Sequence, residues 1–548
     1  MGDGWHRVVA ARIIGALPFA SPLNRLSASS SSIVIVTAAC IRRQATLPLV
    51  VLLAAALTGC GGDSTGPGNE SHGPPGIGIL AGADVTDTVD AVLPQALRVV
   101  VRDTNGRLVQ GAVVRFSSVQ LQGPGGSSVP SVLVGDLSAV GASTFLAETT
   151  SVNGEAFARL VMGRAAGAGA VGIEVPQAGL QARANFTIEA GAAANVVLPI
   201  ADTTIQVGHA MPLAGRVEDR YGNPRTDAIT YEVTGTGLTI TSGQVRGSAP
   251  ARARVLGRFG DLGADTTWVS VVPVATIAVR HGSRLVTAAL DGTNLTEIPH
   301  TLDAEYPGPD WDPDGQSLLA VLGTFSGPRA LYRVNLDGST QQVIDPAAPS
   351  TGHMYDAAYS TDGKWVYFSA GSCNYAAILY RVSIADPQTV ERLSPIGPDE
   401  CFELVNHWPS VSPDGTRLTY ENQTWNQQGY SVRVMDIATR AVTEIVPGGE
   451  RPRWSPAGDL IAYWAEKQIW VVKPDGTGAR VVSPAGHSYE PGVQWSPDGQ
   501  WILARFDPTP GWAGTTVALI NVSTRLEIPL MWTSGYGDFG LPAWKPGQ

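Results

Sequence analysis

The sequence predicts an all-β chain, with two β-sandwiches followed by a six-bladed β-propeller, and three observations lead to this prediction. Gly (63 residues) and Pro (39 residues) are abundant among the 548 residues, and charged residues make up only 16%. Long segments with the 3.6-residue apolar spacing of a helix are missing, and apolar and polar residues alternate in short runs instead. A short motif, typified by Trp495-Ser-Pro-Asp-Gly499, recurs through the C-terminal half.

The spacing of this motif predicts the propeller. The copies are WDPDG from Trp311, YSTDG from Tyr359, VSPDG from Val411, WSPAG from Trp454, WSPDG from Trp495 and a broken WKPGQ from Trp544. Successive copies begin 48, 52, 43, 41 and 49 residues apart, and a period of about 40 to 50 residues built of short strands is typical of propeller blades.

The chemistry of the motif is that of a turn. Pro fixes φ, Asp tolerates the next turn position, and Gly supplies the positive φ that closes a hairpin. Ser is replaced by Asp312 in one copy and Asp by Ala457 in another, whereas Gly is present in all five complete copies. A serine and aspartate active site would not allow such exchanges, so we interpret the motif as structural.

A second hairpin accompanies each blade, and counting these hairpins gives six. The first outer hairpin, at residues 284–298, has no motif before it, and the last motif has no outer hairpin after it. We therefore expect residues 541–546 to join residues 276–282 and 284–298 in one composite blade. Closure of this kind leaves no free sheet edge at the seam of the ring.

Residues 1–59 are interpreted as a signal peptide region. Arg42 and Arg43 precede a 13-residue apolar segment, 47–59, which is too short to span a bilayer and ends at Cys60. Residues 1 to about 35 do not fit a signal peptide, and we expect that the true start of translation lies downstream of them. Residues 60–77 are rich in Gly, Pro and Ser and are predicted to be a flexible tether.

The segment Leu57-Thr58-Gly59-Cys60 resembles a bacterial lipobox. The resemblance implies that Cys60 is the lipid-modified first residue of the mature chain and anchors it to a membrane. Gly61 stands where an Asp would favour retention at the inner membrane, so the resemblance implies an outer-membrane lipoprotein, facing either the periplasm or the outside. An ordinary signal peptide with an incidental cysteine is the alternative.

Residues 78–191 and 192–273 are each predicted to form a β-sandwich. The pattern V-x-D-x-x-G occurs at Val101–Gly106 and again at Val217–Gly222, where it places an Asp before a turn that needs Gly. The segments VRDTNGRLVQGAVVRF, NGEAFARLVMG and EAG resemble the bacterial immunoglobulin-like domains of intimins and invasins. The resemblance implies two such domains acting as spacers; a surface adhesin or stalk that binds through these domains is the alternative.

Residues 274–548 resemble the TolB-type propeller, whose blades carry the repeated WSPDG signature. The resemblance implies a non-catalytic propeller of the cell envelope that binds a protein or peptide. The helical N-terminal domain of TolB itself is replaced here by the predicted sandwiches, so membership of the Tol system does not follow.

The expected binding surface is the channel mouth formed by the loops that lead into the innermost strands. These loops carry the candidate rim residues Glu305, Asp356, His407, Glu450, Glu490 and Asp538, with His353 and His487 nearby. An acidic, histidine-containing rim suits a basic peptide or a divalent cation. Solvated loop carboxylates are the alternative, because the spacing defines no set of metal ligands; no cofactor is expected.

Several function classes are disfavoured. A net charge of −11 without a basic stripe argues against nucleic-acid binding. The chain has no G-x-S-x-G, so a serine hydrolase is not expected. A metal-dependent propeller hydrolase or lactonase remains the enzymatic alternative, although lactonases of this shape lack the WSPDG signature. We expect no catalytic residues.

Cys373 and Cys401 are the remaining cysteines of the predicted folded region. The signal peptide implies an oxidising compartment, so we predict a disulfide that links a loop of the second blade to the approach of the next. Two free thiols are the alternative.

Overall fold

The computed structural model describes residues 72–138, 141–304, 308–323, 330–344, 353–371, 377–394, 405–423, 429–507, 516–531 and 540–547. All described residues lie in one compact unit, Glu70–Gln548. These ranges consist of strands and turns, with short 3-10 helices at Pro124–Gly126 and Pro176–Ala178. They contain no helix long and apolar enough to cross a membrane. The all-β prediction is confirmed.

Two sheets pack face to face around one core between residues 76 and 189. In spatial order, the first sheet consists of Gly76–Ala81, Leu97–Arg102, Glu155–Met162 and Val132–Gly135, and the second of Val85–Thr88, Leu180–Glu189, Gly167–Val175, Val113–Ser118 and Phe145–Thr149. Gln120–Gln122 and Ser128–Pro130 form a separate hairpin. Leu160 of the first sheet and Phe116 and Ile173 of the second are fully buried in the same apolar cluster. The likeness to immunoglobulin domains stays a prediction.

Three smaller sheets follow between residues 193 and 272. They are Ala193–Val197 with Arg216–Asp219; then Thr203–Gln206, Asp265–Val272, Ala251–Arg258 and Thr230–Thr234; and finally Ala210–Pro212, Gln244–Gly247 and Leu238–Thr241. Leu213, Val245 and Val255 are fully buried in a core that the second and third of these sheets share.

The two V-x-D-x-x-G segments form turns. Asp103 Oδ1 accepts hydrogen bonds from the amides of Asn105 (2.8 Å) and Arg107 (2.9 Å), and Gly106 has φ 79°. Asp219 is fully buried and accepts from the amides of Tyr221 (2.8 Å) and Gly191 (2.8 Å). In both copies the carboxylate satisfies backbone donors that the turn would leave unpaired.

The second copy also joins the later sheets to the earlier ones. The Arg220 guanidinium and the Tyr221 hydroxyl both donate to Asp90, and Arg164 Nε lies 3.6 Å from the same carboxylate. At the other end, the Met531 amide of the propeller donates to Thr204 Oγ1 (3.1 Å).

The remaining described residues form six sheets, named here the closing blade and blades 1 to 5. From the innermost strand outwards, the closing blade consists of Ala543–Trp544, Thr276–His281, Arg284–Ala289 and Thr296–Glu297, and blade 1 of Asp303–Ala304 with Asp310–Trp311, Ser317–Gly323, Ala330–Asn335 and Thr340–Ile344. Blade 2 consists of His353–Tyr359, Trp365–Gly371, Ile378–Ser383 and Val390–Arg392, and blade 3 of Val405–Val411, Arg417–Gln423, Tyr430–Asp436 and Val442–Pro447. Blade 4 consists of Glu450–Trp454, Ile461–Ala465, Gln468–Val472 and Arg480–Val481, and blade 5 of Ser488–Trp495, Trp501–Asp507, Thr516–Asn521 and Glu527–Pro529.

The six sheets close into a ring. Apolar clusters join the closing blade to blade 1, each numbered blade to the next, and blade 5 back to the closing blade. In the closing blade, Ile277 pairs with Trp544 and Ala278 with Ala543, so the last strand of the chain lies beside one of the first strands of the ring. This is the composite blade expected from the hairpin count.

The motif forms the turn between the two innermost strands of a blade. In blade 5, Ser496 Oγ donates to Asp498 Oδ1 (2.5 Å) and accepts from the Trp501 amide (2.9 Å), and Gly499 has φ 70°. In blade 4, where Ala457 replaces the Asp, Ser455 Oγ donates instead to Asp459 Oδ1 (2.8 Å). The serine and the carboxylate therefore stabilise the turn, as the interpretation of the motif requires.

Candidate functional site

The channel has two ends, called here the loop end, where the chain enters the innermost strands, and the motif end, where the motif turns lie. The third residue before each motif copy lies on an innermost strand or its approach, and together these residues form the loop-end ring: Gly308, Asp356, Trp408, Arg451, Gly492 and Leu541. The Trp408 amide donates to Asp356 Oδ1 (3.0 Å), the Arg451 guanidinium lies 4.3 Å from the centre of the Trp408 ring, and a Cβ on Gly492 would lie 3.2 Å from Leu541 Cδ2. These contacts link blades 2, 3 and 4, and the short distance at Gly492 shows that blade 5 comes close to the closing blade.

The backbone is strained at this ring. Trp408 has φ 58° and Arg451 has φ 50°, at the same repeat position as Gly308 (φ 133°) and Gly492 (φ 120°). The pairing register of the innermost strand shifts here in blades 2 to 5. A left-handed backbone costs a non-glycine residue about 1 to 2 kcal/mol, and such strain, like a bulge that re-aims a side chain, is concentrated at functional sites.

Asp356 and His407, two of the predicted rim residues, lie together. Asp356 is buried, and its carboxylate accepts hydrogen bonds from Ser369 Oγ (2.8 Å) and from the Trp408 amide (3.0 Å). His407 Nδ1 lies 3.4 Å from Asp356 Oδ2. The pair therefore joins the innermost strands of blades 2 and 3.

Glu450, a third predicted rim residue, lies close to a buried carboxylate that the sequence interpretation missed. Glu421 is paired with His407 across the two inner strands of blade 3, and it accepts a hydrogen bond from the Arg451 amide (2.9 Å). Burial raises the pKa of Glu421 to about 7; the Glu450 charge adds to this, whereas the Arg451 amide and His407 lower it. Burial also raises the pKa of the half-buried Glu450.

The other predicted residues have different positions. Glu490 pairs with Arg505, whose Nη2 lies 2.9 Å from its carboxylate. His487 contacts Glu527 of an outermost strand (3.0 Å) and stacks on Phe506. Outside the described residues lie Glu305, Asp538, Cys60, Cys373 and Cys401, and nothing in the structure tests their roles. No group of three or more metal-ligating side chains occurs in the part of the chain that the structure describes.

Ser369, Glu421 and Arg505 occupy the same position in the sequence repeat, and this shared position could have identified them as loop-end residues from the sequence. Each is the sixth residue after its motif Gly, on the second strand, and the corresponding residue of blade 4 is Trp464. All four contact the loop end of an innermost strand, and Trp464 does so by donating from Nε1 to the Tyr489 carbonyl (2.8 Å). The polar residues at this position interrupt the apolar pattern expected of a blade core, and that interruption is the signal.

The motif end contains a cavity of about 310 Å³, which the sequence interpretation did not anticipate. Its wall includes the residues immediately before five of the motif copies: Asp310, Ala358, Ser410, Arg453 and Gln494. Asp310 accepts a hydrogen bond from the Tyr359 amide (3.3 Å), and Arg453 Nη1 donates to the Pro409 carbonyl (3.3 Å). Burial raises the pKa of Asp310, and the Arg453 charge opposes that rise.

Comparison with known proteins relates the chain to TolB. No family model matches it. It is 33% identical over 107 residues to the Protein TolB homolog of Chlorobium luteolum. The matched region covers 18% of this chain and 24% of that protein. Part of the chain is therefore homologous to TolB-like propeller proteins.

Two further proteins are similar to this chain at lower sequence identity. The uncharacterized protein Atu1656 of Agrobacterium fabrum is 27% identical over 169 residues, or 28% of this chain and 52% of that protein. The chain thus spans about a quarter of the length of the TolB homolog and about half of the length of Atu1656. The crystal structure of TolB from Acinetobacter baumannii has 16% sequence identity and a TM-score of 0.39, and the match covers 58% of this chain and 83% of that one.

Proposed function

We propose that the chain is a non-catalytic protein of the cell envelope whose TolB-like propeller binds a protein or peptide at the loop end of the channel. The observation that carries the proposal is the loop-end ring, in which strained bulges hold Trp408 and Arg451 against each other with Asp356 and Glu421 directly behind them. Side chains held on rigid strands around a channel mouth are suited to recognition.

The chemistry of this end favours a basic group on the partner. Glu421 and Glu450 are close enough for the charge of one to raise the pKa of the other. A ligand ammonium or guanidinium between them would replace that repulsion by two charge-assisted hydrogen bonds. The partner proposed is therefore a peptide segment that presents Lys, Arg or a free N-terminus.

The rest of the chain supports this role as an anchor and a spacer. Under the proposal, Cys60 carries the lipid of an outer-membrane lipoprotein, and the sheets between residues 76 and 272, in two immunoglobulin-like domains, hold the propeller away from the membrane. The contacts of Arg220 and Tyr221 with Asp90, and of Met531 with Thr204, join these parts to one another and to the propeller, which is consistent with a stiff spacer.

A defined peptide library tests the proposal. Peptides selected against the mature chain are measured by fluorescence anisotropy with the unchanged protein and with Glu450→Gln and Glu490→Gln variants. We expect the selected peptides to carry Lys, Arg or a required free N-terminus, and to lose about tenfold in affinity with Glu450→Gln. The matched control is Glu297→Gln, on the outermost strand of the closing blade.

Two outcomes would contradict the proposal. If the selected peptides carry no basic group and bind all variants with equal affinity, the loop end is not the binding site. If the peptides instead compete for a site within residues 78–191, and their affinity is unchanged by the substitutions in the propeller, the binding site lies in the first pair of sheets.

A further inference from the structure

The motif-end cavity has a charge arrangement that the loop-end ring does not have. Asp310 belongs to blade 1 and Arg453 to blade 4, at the same repeat position. Since these blades are three apart in a ring of six, the two side chains lie on opposite walls of the cavity that both of them line. One wall is thus acidic and the facing wall basic.

Neither Asp310 nor Arg453 is directly paired with an opposite charge within the described part of the chain. Asp310 and Arg453 have no ion-pair partner within 4.0 Å there, and their hydrogen bonds are to the Tyr359 amide and the Pro409 carbonyl. At the loop end, by contrast, Glu490 and Arg505 pair directly at 2.9 Å. A half-buried carboxylate without a directly paired cation is costly, because backbone donors and the more distant Arg453 charge replace only part of its lost hydration.

The rest of the wall combines apolar residues with neutral polar side chains, among them Thr361, Ser410, Ser455 and Gln494. It contains motif residues that face the axis, namely Trp311, Trp454, Trp495, Trp544, Pro413, Pro456, Pro497 and Pro546. Ser410 and Gln494 occupy blades 3 and 5, on either side of Arg453. Such a wall accepts an aliphatic side chain and offers a hydroxyl and an amide to a peptide unit.

We propose that this cavity binds a small zwitterion of amino-acid or dipeptide size, with its ammonium group at Asp310 and its carboxylate at Arg453. A simple anion would be repelled by Asp310 and a simple cation by Arg453, whereas a zwitterion satisfies both walls. The cavity volume of about 310 Å³ is at the small end of the range for ligand pockets, which run from about 300 to 1,000 Å³. The site is separate from the loop end, so it does not rest on the function proposed above.

The test uses glycyl-L-leucine with two capped forms, N-acetyl-glycyl-L-leucine and glycyl-L-leucinamide. Binding to the full mature chain is followed by calorimetry and by intrinsic fluorescence, since four tryptophans line the cavity. We expect the free dipeptide to bind about tenfold or more tightly than either capped form, because each cap removes one charge-assisted interaction.

Two variants identify the walls. Asp310→Asn keeps an oxygen that can accept the Tyr359 amide, and Arg453→Gln keeps a donor for the Pro409 carbonyl, so both are expected to fold, as circular dichroism will check. With Asp310→Asn, the free dipeptide should no longer bind more tightly than the N-acetyl form. With Arg453→Gln, it should no longer bind more tightly than the amide form. Glu490→Gln, at the other end of the channel, should leave dipeptide binding unchanged.

The proposal is overturned if folded wild-type protein shows no saturable binding of the free dipeptide up to about 10 mM, a range that covers weak two-point recognition. It is also overturned if capped and free forms bind equally, or if neither variant changes the preference. Loss of peptide-partner binding at the loop end would leave these results unaffected, so the two proposals fail independently.

Discussion

Glu421 lies in an environment that its sequence position does not suggest. It lies in the second strand of blade 3 and is 5% exposed, so its carboxylate is desolvated between His407, Glu450 and the Arg451 amide. The pKa rises from 4.5 to about 7, and the folded state therefore binds more protons than the unfolded state between these two pH values. The free energy of unfolding must then decrease as the pH rises through that window.

Glu421→Gln tests this assignment. The neutral amide mimics the protonated acid at every pH and still accepts the Arg451 amide, so the variant should be more stable than wild type at pH 8 by up to about 3 kcal/mol and nearly equal to it at pH 4.5. Melting midpoints across this range provide the measurement, with the exposed Glu444→Gln as control. Parallel melting curves for wild type and variant at all pH values would contradict the assignment.

Arg451 offers a second test at the residue scale, because its backbone is left-handed (φ 50°). Arg451→Gly and Arg451→Ala both remove the contact with Trp408, but only Gly adopts this φ without strain. We expect the Gly variant to be more stable than the Ala variant by about 1 kcal/mol, the reverse of the usual order in a strand. Thermal melting checks this, and Arg433, on the third strand of the same sheet as Trp408, supplies the control pair. If Ala is the more stable variant at both positions, the left-handed conformation at Arg451 is wrong.

At the scale of the element, the motif turn was the most predictable part of the molecule. Its hydrogen bonds join residues no more than five apart, as between Ser496 and Trp501, so the local sequence is sufficient to specify it. The bulge in the innermost strand was not predictable, because Trp408 and Arg451 adopt a conformation that their residue types disfavour and that only the surrounding ring imposes.

Blade 4 allows the turn to be tested by moving its carboxylate. Asp459→Ala should lower stability by about 1 kcal/mol, because it removes the acceptor of the Ser455 hydroxyl. Adding Ala457→Asp restores the arrangement found in blade 5, so the double variant should recover most of the loss. Calorimetric melting of the two variants decides the matter, and a double variant no more stable than the single one would show that the two turns are not equivalent.

At the scale of the whole molecule, stability depends on closing the ring. The last strand pairs with Ile277 and Ala278, and the Ala543 carbonyl accepts the Trp311 indole hydrogen bond (3.1 Å), so it connects the closing blade to blade 1. Without it, the edge at residues 276–281 and the adjacent face of blade 1 would be exposed to water.

Deleting residues 541–548 should therefore lower the melting midpoint strongly and increase amide hydrogen exchange at residues 276–281. Deleting residues 547–548 alone is the matched control, since it leaves the paired strand intact. Unchanged exchange at residues 276–281 in the longer deletion would mean that the final strand does not close the ring.

The sequence by itself determined the all-β class, the motif turns, the number of blades and the composite closing blade. These follow from turn chemistry within five residues and from the need to pair every strand edge, both of which are legible in the order of the residues. It also indicated the loop end and, there, Asp356, His407, Glu450 and Glu490.

Only the tertiary structure decided which of these side chains meet. The burial of Glu421, the left-handed Trp408 and Arg451, and the facing of Asp310 and Arg453 across the motif-end cavity depend on how the blades are arranged around the axis. The physical reason is that turn formation is local, whereas a site is made by residues from different blades, and the ring as a whole sets their distances.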